Sequence, residues 1–214
     1  MSGPDFIFSK WRRIIVPGGK GQGSAVLLAL INGILFAFVI LPFLIAHLGL
    51  RPIDTVGEHY WMVPGLLDGR GLAWGIDTGI TFMMAKEPGY TFLLAAIYKI
   101  FGTLDARLIQ SVQVLLNASI CWMVWSIGYL STSRRSVATV AAVCYAFHPL
   151  ALLYSARIWN DIPSSFWITL SIWLFLLTLR DGSIVKGALA GGTLAIAALF
   201  RTASFGLLFV LAIW

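Results

Sequence analysis

The sequence predicts an all-α polytopic membrane protein, one module over residues 1–214, with about six transmembrane helices and juxtamembrane helices on the outer side. Three observations predict it. Of the 214 residues, 59% are hydrophobic and only 11% charged, whereas a soluble domain carries ~25% charged residues. The mean hydropathy is +0.87, so a water-soluble fold could not hide the apolar surface. The basic residues fall in short patches between apolar runs, as the positive-inside pattern requires. That distribution excludes nucleic acid as the reason for the net charge of +6 and makes membrane lipids the expected surroundings.

The tail, 1–24, carries Lys10, Arg12, Arg13 and Lys20 against Asp5 and is expected in the cytoplasm. Ala25 to Leu48 reads as the first span, kinked at Pro42. Residues 49–102 then form the first external loop. Its polar part, Gly49 to Glu87, holds five acids and three bases. Within it Val56 to Asp68 is an amphipathic outer segment with Glu58, Tyr60, Trp61 and Leu67, and Pro64 is expected to kink it.

Gly89 to Phe101 looks like a span but has 13 residues. That is about 20 Å of helix, against a bilayer core of ~30 Å. Charge parity decides its place. If it crossed, "STSRRS" (131–136) and "RDGSIVK" (180–186) would lie opposite the basic tail. If it does not cross, all three basic segments share the cytoplasmic side, and Gly89–Phe101 is an outer interfacial or re-entrant helix.

Five further stretches complete the count. Arg107–Tyr129, Val137–Tyr154 and Ile162–Leu179 read as spans, and Gly187–Phe200 and Thr202–Trp214 are apolar runs separated by Arg201. Gly187 and Gly191 make a small-xxx-small spacing that permits close helix contact. Cys121 and Cys144 lie inside apolar runs and read as small buried hydrophobes. Asn117-Ala118-Ser119 matches a glycosylation sequon but sits inside a span. His148, before Pro149, reads as a hydrogen-bonded structural histidine.

This topology gathers Asp54, Glu58, Lys86, Arg157, Asp161 and Arg201 at the outer face. Ionisable groups at a lipid boundary are costly unless paired or functional.

Five quoted pieces carry a family resemblance. They are "GEHYWMVPGLLDGRGL" (57–72), "AKEPGYTFLLAAIYKIFG" (85–102), "ARLIQSVQVLLNA" (106–118), "HPLALLYSARIWNDIPSSFW" (148–167) and "LFRT" (199–202). In order, they resemble the acid–x–x–Tyr juxtamembrane helix, the basic-x-Pro-Gly-Tyr-Pro segment, the Arg-x-x-Gln start of a span, the Pro…Tyr-Ser…acid stretch and the Arg closing an Ala/Leu-rich helix of the GT-C membrane glycosyltransferases. The resemblance is in particular to the branch of protein O-mannosyltransferases and lipid A aminoarabinose transferases. Thr91 stands where that family often has Pro, and the first-loop acid is Glu58, or Asp54 in another register. Family members are usually more than twice as long. The resemblance thus covers an N-terminal portion, which implies a compact module, a chain completed by a partner subunit, or a missing C-terminal half.

The resemblance implies transfer of a sugar from a polyprenyl-phosphate donor to an acceptor at the outer, periplasmic-type face of a bacterial-type inner membrane. Such an inverting displacement needs one carboxylate as base, and cations for the charge growing on the leaving phosphate. Glu58 is the first candidate base, with Asp54 as the alternative acid, and Asp161 is the second catalytic acid. Lys86 and Arg201 are candidate donor-phosphate ligands, with Arg157 a third cation near Asp161. The bland alternatives are a solvated acid at 58, an N-cap at 160–161, lipid snorkelling at Lys86 and a helix-end anchor at Arg201. The chain has no Asp-x-Asp motif and no metal-ligand spacing, so no metal and no cofactor are expected. Two other readings stay open: a non-catalytic GT-C-like subunit that binds a lipid-linked intermediate or a partner, and a transporter or flippase fragment. Against transport, the ionisable groups sit at span ends rather than at mid-depth.

Overall fold

The structure, a computed structural model, describes residues 20–40, 43, 58–74, 82, 83 and 87–207. Helix α1 (Lys20–Leu35) continues into a π-turn at Phe36–Ile40; Pro42 and Asp54 lie outside the described residues. A 3-10 turn, Glu58–Met62, leads into the short α2 (Val63–Leu67). Pro64 sits in the first turn of α2, where no intrahelical bond would use its N–H. The kink expected there is therefore a helix start. Two-residue strands β1 (Ala73–Trp74) and β2 (Phe82–Met83) pair antiparallel, with Ala73 opposite Met83. This small ladder was not predicted, and it leaves the all-α class unchanged.

The remaining helices are α3 (Gly89–Phe101), α4 (Ala106–Thr132), α5 (Arg135–Ala146), α6 (Pro149–Ala156), α7 (Asp161–Asp181) and α8 (Ile184–Phe200). A 3-10 turn, Thr202–Phe205, follows. Among the described residues, three helical stretches are long and apolar enough to cross a membrane: Gly23–Ile40, α4 and α7. The pair α5–α6 makes a fourth if it is one span bent by 50°. Val137–Tyr154 is thus not one continuous helix. Pro149 has no N–H to continue α5, and His148 Nδ1 instead accepts from the Ala151 N–H at 3.3 Å to cap α6. Helix α8 has 17 residues, about 26 Å at ~1.5 Å per residue, which is short for a span. The expected run Thr202–Trp214 lies outside the described residues from 208 onward.

Side-chain contacts set the direction of each helix. Cys121 Sγ donates to Ala25 O at 3.4 Å, and a Cβ at Gly33 would fall 2.9 Å from Val114 Cγ1, so α1 runs antiparallel to α4. Gln110 Nε2 donates to Ala156 O at 2.7 Å, which puts the end of α6 beside the start of α4. Two ends follow. The first holds Asp105, Ala156–Asp161 and Phe200–Phe205; the second holds the start of α1, Ser133–Arg135 and Asp181–Lys186. Helix α3 has both its ends at the first. Gly89 lies against Leu199, and Leu104, just beyond Gly102, accepts from Tyr60 Oη at 3.2 Å. Gly102 closes α3 at φ 69°, a left-handed turn suited to glycine.

Small residues and internal polar bonds hold the bundle, because lipid tails supply no hydrophobic drive between helices. Ala25, Ala29, Ala118, Ala138 and Ala142 pack around Trp125 where α1, α4 and α5 meet. Asn117 Oδ1 accepts from Tyr145 Oη at 2.7 Å, which accounts for the buried sequon residue. Ser171 Oγ donates to Ala190 O at 2.8 Å between α7 and α8. Of the two spaced glycines only Gly187 makes a close approach: a Cβ there would meet Thr178 Cγ2 at 3.3 Å, whereas one at Gly191 would meet nothing within 4 Å.

Candidate active site

Three contacts converge on the chain as it leaves α8. Asn160 Nδ2 donates to Phe200 O at 2.8 Å. Arg201 Nη1 lies 2.6 Å from Asp161 Oδ1. Glu87 Oε1 accepts from both the N–H and the Oγ1–H of Thr202, each at 3.0 Å. Successive residues 200, 201 and 202 are therefore held by α7 on one side and by the segment before α3 on the other. Arg201 adopts an extended backbone, φ −157°, while its N–H still bonds Ala197 O at 3.0 Å. That geometry ends α8 and turns the guanidinium toward Asp161. Asp161 occupies the first turn of α7, where the helix dipole favours an anion.

The pair is asymmetric in exposure. The Asp161 side chain is 18% exposed and that of Arg201 55%. Arg201 uses one Nη1 donor on Asp161, and a guanidinium has five N–H donors. A planar donor set at the rim of the bundle can meet an anionic ligand without releasing Asp161.

The motif before α3 explains how Glu87 arrives. A Cβ at Gly89 would fall 2.7 Å from the backbone carbon of Leu199, so only glycine allows this close approach. Tyr90, fully buried, donates to Gln113 Oε1 at 3.3 Å. Gln113 in turn donates through Nε2 to the Arg157 carbonyl. His59 Nδ1 lies 3.3 Å from Thr91 Oγ1, and its ring meets Tyr90 edge-on at 5.5 Å. Burial of Tyr90, Leu94 and Ile97 along one face locks α3 in place. The Glu87 carboxyl lies below its ordinary value, first because the Thr202 N–H stabilises the anion. Its own N–H, the Thr202 hydroxyl and the charge on His59 add to this, while burial opposes it. Glu87 and Thr202 also line an open groove of ≈ 590 Å³ walled by Ala195, Ala198, Leu199 and Phe205.

Of the residues singled out in the sequence, Asp161 and Arg201 meet directly. Glu58 opens the 3-10 turn at the same end, next to His59. Arg157 follows α6, its carbonyl held by Gln113. Lys86 and Asp54 lie outside the described residues. Glu87 and the tertiary role of Asn160 are not among the features that the sequence singles out. The available signal was an acid placed directly between Lys86 and Pro88-Gly89. Among the described residues, no three of His, Cys, Asp or Glu gather as metal ligands would.

The dolichyl-phosphate-mannose-protein mannosyltransferase family model matches residues 85–214, more than half of the chain. The chain belongs to this mannosyltransferase family. It is accordingly a GT-C-like integral membrane protein. The stretch matched by the mannosyltransferase family takes in Lys86, Glu87, Arg157, Asp161 and Arg201 and leaves out Asp54 and Glu58. No curated protein and no solved structure matches the chain.

Proposed function

We propose that the protein moves a glycosyl group from a polyprenyl-phosphate sugar to an acceptor at the outer face of the membrane, with its N-terminus in the cytoplasm. The observation that carries this reading is the half-exposed Arg201 anchored on Asp161, in a chain of the mannosyltransferase family. In the proposed reaction Glu58 deprotonates or orients the attacking group of the acceptor, with Asp54 as the other candidate for that role. Attack forms the new bond at the anomeric carbon as the bond to the lipid phosphate breaks. Arg201 and Lys86 receive the charge that grows on the leaving phosphate, with Arg157 in support. Asp161 keeps the guanidinium in place and contributes its carboxylate beside the acceptor.

The test is a membrane assay with polyprenyl-phosphate mannose as donor, run with a chelator and without nucleotide-sugar. Transfer is expected. Transfer from a nucleotide-sugar in membranes lacking any lipid-linked donor would count decisively against the proposal.

A second reading has one observation in its favour. Asp161 and Arg201 satisfy each other, as a structural pair also would. A non-catalytic subunit that binds a lipid-linked intermediate predicts donor binding with no transfer by the purified chain.

A further inference from the structure

We infer that Glu87 is a positioning residue, whose carboxylate clamps Thr202 and thereby aims Arg201 at the lipid phosphate. The inference rests on the reading of Arg201 as a phosphate ligand given above. Its basis is geometric. One oxygen, Glu87 Oε1, takes both donors of Thr202 at 3.0 Å across 115 residues of sequence. Thr202 is the residue directly after Arg201, so its position fixes one side of the Arg201 backbone. Asn160 fixes the other side through the Phe200 carbonyl. With both flanks held, the extended backbone at Arg201 is set before any ligand arrives, and the side chain needs only Asp161 to complete its orientation.

Glu87 suits the task for two further reasons. Its anion is stabilised by the very N–H it positions, so the clamp is charged at neutral pH. Gly89, two residues on, brings the chain into backbone contact with Leu199, so the clamp sits on a rigid approach rather than on a free loop. The clamp does not touch the phosphate. A carboxylate aimed at a phosphate would repel it, and this one is turned onto Thr202.

The experiment compares Glu87→Ala, Glu87→Gln, Thr202→Val and Thr202→Ser in the full chain. Three measurements are made: transfer kinetics with polyprenyl-phosphate mannose, binding of undecaprenyl phosphate to the detergent-solubilised protein, and hydrogen exchange at the Thr202 amide. Glu87→Ala should raise the donor KM and the lipid-phosphate Kd together, on the order of tenfold for lost charged hydrogen bonds, with kcat changed far less. Its Thr202 amide should exchange faster. Glu87→Gln keeps an acceptor oxygen and should fall between Ala and the native protein. Thr202→Ser keeps both donors and should behave as the native protein, while Thr202→Val loses the hydroxyl and should raise KM. A merely structural Glu87 would lower the yield of folded protein and leave the KM and Kd of the survivors unchanged, which would overturn the inference. A fall in kcat at unchanged KM in Glu87→Gln would also overturn it, by making Glu87 a base. Faster exchange at Thr202 with unchanged lipid-phosphate binding would show that the clamp exists and does not aim Arg201. Native protein that binds undecaprenyl phosphate without transferring sugar would refute transfer alone, and the clamp would then be judged on Kd.

Discussion

The two ends of the bundle use charge in different ways. At the second end Asp181 is bonded to Arg180 at 2.8 Å and to Lys186, partners one and five residues away. At the first end Asp161 meets Arg201 across 40 residues, Asn160 reaches Phe200 across 40, and Glu87 reaches Thr202 across 115. A local ion group closes a helix–helix loop and places basic charge on one side of the membrane. A long-range group exists only when the whole bundle is assembled. Building one at a lipid boundary is expensive, and that expense is the argument for a site at the first end.

The strongest way to break the contrast is to remove the base proposed at that end. Glu58→Gln keeps shape and hydrogen bonding and removes basicity. Turnover is expected to fall roughly 10²- to 10⁴-fold with lipid-phosphate binding retained, as measured by initial rates and a binding titration. Unchanged turnover would move the role to Asp54 or Asp161.

Next comes Arg201→Lys, which keeps the charge and loses the planar fork. Donor binding and turnover should fall together, by about 10- to 100-fold if one charged hydrogen bond is lost. An unchanged Kd for undecaprenyl phosphate would reduce Arg201 to a helix-end anchor.

How much of this was legible in the sequence varies by element. Gly89–Phe101 was bounded correctly from sequence because Pro88 and Gly102 punctuate it on both sides. Its length is a local property, and the charge parity that argues against a crossing is read from basic segments spread along the chain; both are legible without a structure. The break at His148-Pro149 was missed, since apolar residues on both sides mask a change of direction that only the proline signals. Asp161 and Arg201 were each picked out as ionisable residues at apolar run ends, but their pairing was not; Arg157 was the nearer cation in sequence. Glu87 stands out only as an acid between Lys86 and Pro88, and its role is not legible because its partner lies 115 residues away. Its neighbour Gly89 carried the clue, since a glycine in an apolar helix start implies close approach, though not by what.

Packing at the first end can be tested without chemistry. Gly89→Ala would put a Cβ 2.7 Å from the Leu199 backbone, so α3 or α8 must shift. Overpacking of this kind costs about 1–3 kcal/mol. The control is Gly191→Ala, where a Cβ meets nothing within 4 Å and the change should be neutral or stabilising by up to about 1 kcal/mol through helix propensity. Thermal unfolding in detergent should separate the two. Equal stability would mean that α3 is not seated on α8.

The smallest effect is expected at the second end. Asp161→Asn and Asp181→Asn are the same chemical change made at opposite ends. Asp181 is 28% exposed at its side chain and, among the described residues, pairs with Arg180 and Lys186, its neighbours in sequence. Ion pairs of this sort contribute about 0–1 kcal/mol, because solvent screens them and two long side chains must be ordered. Asp181→Asn should therefore leave the rate of transfer and the donor KM unchanged and lower the unfolding temperature slightly at most. Asp161→Asn keeps an acceptor oxygen for Arg201 but loses the charge that holds the guanidinium, so donor KM should rise at little cost in stability. If the two variants behave alike, Asp161 closes a helix start as Asp181 closes a loop, and the first end is no more a site than the second.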